Sequence, residues 1–113
     1  MIGIKLKKVK SMTTNAKIKK LIDDNEVILF MKGNPTFPQC GFSSVACQAL
    51  KAIGSEYETF DVLQDPDIRE GIKVFSNWPT IPQLYIRGEF IGGADIIREL
   101  YESGELAKTI SKE

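Results

Sequence analysis

The chain has 113 residues, 42% apolar and 27% charged, the composition of one soluble globular domain rather than a disordered or membrane-embedded segment. It has no histidine and two cysteines, which excludes Ser-His-Asp and Cys-His catalysis, His-ligated metal sites and an intrachain four-cysteine zinc site. Fifteen basic and fifteen acidic side chains cancel, but residues 1–22 hold seven lysines and no acid, so the remainder is an acidic body and argues against a nucleic-acid partner.

Residues 1–13 read as a solvated basic tail. Ile2, Ile4, Leu6 and Val9 alternate with Lys5, Lys7, Lys8 and Lys10, so the tail lacks both the unbroken apolar stretch and the arginines of targeting segments. No apolar run approaches membrane-spanning length, and the expectation is a protein without a membrane partner. A bacterial cytoplasmic location is expected ahead of a mitochondrial matrix one.

A single domain follows over 14–113. Thr13 or Thr14 caps a first helix with Ile18, Leu21 and Ile22 on one face, ending near Asn25. Val27 to Met31 is a continuous apolar run of strand length, as expected of a strand covered on both faces. Gly33 to Gln39 holds two prolines and a Gly-Asn pair and cannot be regular. A second helix is predicted from Gly41 to Ile53, with Phe42, Val45, Ala46, Ala49, Leu50 and Ile53 as its buried stripe and Gly54 as its stop.

Tyr57 to Val62 alternates as a strand does. Asp65-Pro66 then opens a third helix that turns Ile68, Ile72 and Phe75 inward. Gln83–Ile86 and Glu89–Ile91 flank Arg87-Gly88 as a hairpin. Gly92-Gly93 breaks the last strand, Asp95 caps a helix carrying Ile96, Ile97, Leu100 and Tyr101, and Gly104 separates it from a short final helix. The fold class is α/β: a small mixed sheet of four strands covered by helices on both faces, the first two strands parallel and the last two antiparallel.

Cys40 is the centre of chemical interest. It ends an irregular loop just before a helix, where unpaired N–H groups and the helix dipole favour the thiolate. The alternative is a buried, inert thiol. Cys47 lies seven residues along the same helix, about 10.5 Å away at 1.5 Å per residue, whereas disulfide-linked Cα atoms lie within about 7 Å. Its place at the edge of the apolar stripe suits a small packing residue. Redox or metal chemistry therefore rests on one thiol, which needs another molecule to complete a ligand set or to resolve a disulfide.

Met31-Lys32-Gly33, Cys40-Gly41-Phe42-Ser43, Trp78-Pro79-Thr80-Ile81-Pro82-Gln83 and Gly92-Gly93-Ala94-Asp95, in this order and spacing, resemble the monothiol glutaredoxins of the CGFS type. The resemblance runs from about Thr14 to Glu105. It implies a thioredoxin-like fold, glutathione binding and homodimers that bridge a 2Fe–2S cluster through Cys40 for delivery to apo iron–sulfur recipients. It also suggests a BolA-like partner.

Lys32 resembles the lysine that pairs with the glycyl carboxylate of glutathione, and Arg69 the arginine that helps it, although Arg69 also suits an i,i+4 pair with Asp65. Gly92-Gly93 before a capped helix suits the γ-glutamyl carboxylate, with the Ala94 and Asp95 amides facing it and Asp95 able to pair with the ligand ammonium. Thr80-Ile81-Pro82 resembles the loop whose cis-proline exposes the Ile81 backbone to the ligand's cysteinyl part. Trp78 is either a core aromatic or part of the site rim. Many relatives carry Cys at the position of Ala94 and Phe at that of Ile81. A glutathione-dependent monothiol oxidoreductase with Cys40 as nucleophile is the alternative function.

Overall fold

The computed structural model describes residues 12–111; the basic tail expected over 1–13 therefore lies almost entirely outside the described residues. Helix α1 (Thr14–Asp24) begins with the Thr13 hydroxyl accepting from the Ala16 N–H at 3.1 Å. Strand β1 (Val27–Met31) follows, then helix α2 (Gly41–Ala52) and strand β2 (Glu58–Asp61). Helix α3 (Pro66–Ser76) is capped by Asp65, whose carboxylate accepts from the Asp67 and Ile68 amides at 3.1 Å. Strands β3 (Gln83–Ile86) and β4 (Glu89–Gly92) form the hairpin, and helices α4 (Ala94–Ser103) and α5 (Glu105–Ser111) close the chain.

The strands lie in the order β2-β1-β3-β4, with β1 parallel to β2 and antiparallel to β3, and β3 antiparallel to β4. All five residues of β1 are buried because both faces are covered. The strand period of two sends Val27, Leu29 and Met31 to one core with Leu50 of α2, Ile97 of α4 and Leu106 of α5. It sends Ile28 and Phe30 to the other, with Ile18 and Ile22 of α1 and Ile68 and Ile72 of α3. Gly71 lets α1 and α3 approach closely, since a Cβ there would lie 2.6 Å from the Thr14 methyl. Among the described residues no helix is long and apolar enough to cross a membrane.

Four sequence expectations are corrected. The second strand is shorter than Tyr57–Val62: after Asp61 the chain turns into a 3-10 segment, Val62–Gln64, started by the Asp61 carboxylate accepting from the Leu63 N–H. Phe42 is 64% exposed instead of buried, because in the first turn of α2 it is Ser43, not Phe42, that faces inward. Phe75 is half-exposed, with one ring edge against Tyr85 at 6.3 Å between centroids. Asp95 does not cap α4. Gly93 is the N-cap, and Asp95 lies in the first turn, where its charge favours the helix dipole without a capping hydrogen bond.

Candidate functional site

Cys40 is the N-cap residue of α2, extended at φ −158°, ψ 135°, and half-exposed. Its side chain makes no capping hydrogen bond, yet the first amides of the helix act on the sulfur. Burial pushes the thiol up, but the backbone N–H groups of Ser43 and Phe42, the Lys32 ammonium and the Ser43 hydroxyl outweigh it and hold the thiol below its ordinary range. Cys47 behaves oppositely. Burial raises its thiol, only partly offset by the Tyr57 hydroxyl, and its sulfur lies 3.3 Å from that of Met31.

The Cys40 thiol should therefore alkylate with an apparent pKa below the ordinary value. Lys32→Gln should raise it by removing a nearby cation, measured from the pH dependence of iodoacetamide labelling in the Cys47→Ser background. An identical pKa in both proteins would remove Lys32 from the electrostatics of the thiol.

Lys32 leaves the end of β1 half-buried, and its backbone is tied to the cysteine loop on both sides. Its N–H donates to the Ser43 hydroxyl at 3.1 Å, and its carbonyl accepts from the Gln39 N–H at 2.9 Å. Ser43 is fully buried, which makes it the hidden link between the lysine and the thiol. Serine there reads in the sequence merely as the residue that replaces a second cysteine; its signal is a small hydroxyl at the third position of the helix, where polar side chains meet backbone groups.

Two adjoining grooves flank Phe42, and Cys40 lines the second of them. The first, about 190 Å³, is bounded by Trp78, Thr80, Ile81 and Pro82 on one side and by Gly93–Ile96 on the other. The Ile81–Pro82 bond is cis. The second, about 310 Å³, runs between Cys40 and Val45 of α2 and the Ala94, Asp95 and Arg98 surface of α4. Phe42 stands between them and touches both. A Cβ on Gly93 would lie 3.2 Å from the Trp78 indole nitrogen and 3.3 Å from the Pro82 carbonyl oxygen, so glycine keeps the first groove open.

The loop that forms one wall is held from beneath. Buried Gln83 donates from Nε2 to the Trp78 and Thr80 carbonyls, both at 3.1 Å, and its Oε1 accepts from the Tyr85 hydroxyl at 3.1 Å. Trp78 itself is at the rim, 39% exposed, with Phe90 at 6.0 Å.

The structure thus gathers Cys40, Ile81, Ala94 and Asp95 around the grooves, with Lys32 acting on the thiol from beside them. Asp95 keeps its carboxylate in solvent, only loosely paired with Arg98 at 3.8 Å. Arg69 lies outside the groove lining. Its expected partner Asp65 is engaged in capping α3, no Arg69–Asp65 ion pair forms, and the Arg69 Nε is buried without a hydrogen-bond partner among the described residues. Among the described residues no three His, Cys, Asp or Glu side chains converge on a point that could hold a metal ion.

The sequence profile of the Glutaredoxin family matches residues 27–91. A protein of Synechocystis, named as an uncharacterised monothiol glutaredoxin of ycf64-like type, is 54% identical over 97 residues, covering 86% of this chain and 91% of its own length. Monothiol glutaredoxin-S17 of Arabidopsis thaliana is 55% identical over 96 residues, which are 85% of this chain but 20% of that longer protein. The solution structure of reduced poplar apo GrxS14 superposes with a TM-score of 0.75 at 46% identity, covering 87% of this chain and 90% of the poplar one.

Proposed function

This chain belongs to the glutaredoxin family and has its thioredoxin-like fold, and from that premise we propose that it is a glutathione-dependent carrier of a 2Fe–2S cluster for apo iron–sulfur recipients. The observation that carries the reading is the contrast between its two thiols. Cys40 is half-exposed with its thiolate favoured, while Cys47 is sealed against Met31. One usable sulfur per chain gives a homodimer two, whereas a 2Fe–2S cluster needs four ligands. Two glutathione thiols supply the others.

Glutathione suits the charges around Cys40. Lys32, with Arg69, is assigned to the glycyl carboxylate. The Ile81 backbone is assigned to the cysteinyl part. The Ala94 and Asp95 amides at the start of α4 are assigned to the γ-glutamyl carboxylate, and the exposed Asp95 carboxylate to its ammonium. The cluster is cargo, held between subunits and released to recipients, and a BolA-like protein is a candidate partner in that transfer.

A second reading is favoured by the lowered Cys40 pKa, which also suits a nucleophile. The Cys40 thiolate would attack the glutathione sulfur of a glutathionylated protein, releasing that protein's thiol and leaving a Cys40–glutathione disulfide. A second glutathione thiolate would then attack the same glutathione sulfur, free Cys40 and depart as glutathione disulfide.

Anaerobic reconstitution with ferrous iron, sulfide and glutathione, read by visible absorption and size exclusion, separates the two readings. The expected result is a brown dimer that reverts to a colourless monomer when the cluster is removed. A protein that stays colourless and monomeric overturns the carrier reading, and turnover of a glutathionylated substrate then measures the second.

A further inference from the structure

Asp61 ends β2 opposite Met31, one residue before Lys32 on the neighbouring strand. One of its carboxylate oxygens, Oδ1, accepts two hydrogen bonds at 2.9 Å: from the Gly33 N–H across the strands, and from the Leu63 N–H in its own turn. The Gly33 bond falls just where β1 stops pairing and the cysteine loop begins. The Lys32 N–H is held by Ser43, and the peptide that follows Lys32 is held at its carbonyl by the Gln39 N–H and at its own N–H by Asp61.

We propose that Asp61 is a positioning residue for Lys32: it fixes the Lys32–Gly33 peptide and so aims the lysine ammonium at the ligand carboxylate beside Cys40. The inference rests on the glutathione reading above and extends it to a residue that touches neither ligand nor thiol. The alternative role, starting the 3-10 turn through Leu63, is local to β2 and would not reach Lys32. Removing the carboxylate leaves a partly buried Gly33 N–H without its partner, so the peptide keeps its Gln39 bond but loses the second of its two anchors, and the root of the lysine is held less tightly.

The test uses S-methylglutathione, whose blocked thiol can neither form a disulfide nor bind iron, titrated into the apo protein and followed by amide chemical shifts. Asp61→Leu should weaken binding roughly fivefold, less than the roughly tenfold or more of a charged hydrogen bond lost outright, because the lysine is misaimed and not removed. Asp61→Asn, whose amide oxygen can accept both N–H bonds, should bind like the unaltered protein. In a Lys32→Gln background Asp61→Leu should cost nothing further, because the group it aims is gone. Should Asp61→Leu fail to fold, Asp61→Ser, too short to span both amides, is read in the same way.

Unchanged affinity in the Leu or Ser variant, or an equal loss with and without Lys32, overturns the inference and leaves Asp61 a structural residue. No binding by the unaltered protein overturns the glutathione reading itself, and the positioning role falls with it.

Discussion

Cys40→Ser should leave the protein unable to take up a 2Fe–2S cluster, whereas Cys47→Ser should load to near the unaltered level. The difference follows from position and not from chemistry, since both are single thiols on one helix. Cys40 is the half-exposed N-cap, with the Ser43 and Phe42 amides and the Lys32 charge favouring thiolate. Cys47 faces the core two turns later, its thiol raised by burial and its sulfur against Met31. A serine at position 47 buries a hydroxyl beside a thioether and costs about 1–2 kcal/mol of stability, visible as a lower melting temperature without loss of the cluster. Visible absorption of the reconstituted proteins checks both. Loss of colour in Cys47→Ser with the fold intact would move the ligand assignment away from Cys40.

Gly33→Ala should be the most damaging single-atom enlargement near the site. Gly33 has φ +86°, a left-handed backbone that costs an alanine about 1 kcal/mol. A Cβ there would also lie 2.5 Å from the Phe37 carbonyl oxygen and 2.8 Å from the Gln39 nitrogen, which are backbone atoms of a loop held by its own hydrogen bonds. Such atoms cannot swing aside as a side chain tip does, so the loop must shift and Cys40 with it. The expected loss is about 3 kcal/mol, or roughly 13 °C in melting temperature for a domain of this size. Gly54→Ala is the control, because Gly54 has φ +70° but a Cβ there meets nothing within 4 Å. It should lose about 1 kcal/mol, and equal losses at the two positions would show that the clash at Gly33 is relieved at no cost.

What the sequence by itself determined is what depends on neighbours along the chain. The all-apolar run Val27–Met31 announced a strand buried on both faces, Asp65-Pro66 the start of α3, and Arg87-Gly88 the hairpin. The place of Cys40 between an irregular loop and a helix start was readable for the same reason, and with it the direction of the thiol's shift. Motif resemblance added the grouping of Cys40 with the Ile81–Pro82 loop and the Gly92–Asp95 turn, which lie together around the grooves.

Only the tertiary structure decided what depends on neighbours far away in sequence. Apolar character assigned Phe42 to the core, but the buried stripe runs through Ser43, Ala46, Cys47 and Leu50, one residue further round the helix, with a polar side chain inside and Phe42 outside. Asp95 has the chemistry of a cap, yet the path from β4 into α4 put Gly93 at the N-cap instead. Asp65 caps α3 as its place before Pro66 implied, but the i,i+4 pair it also offered Arg69 does not form. Ser43 beneath Lys32 and Asp61 beside Gly33 act across 11 and 28 residues of sequence, through hydrogen bonds that exist only once α2 and β2 are packed against β1. Local pattern specifies elements because their energetics are local; the supports of a site are set by which elements touch, and that is a property of the folded chain.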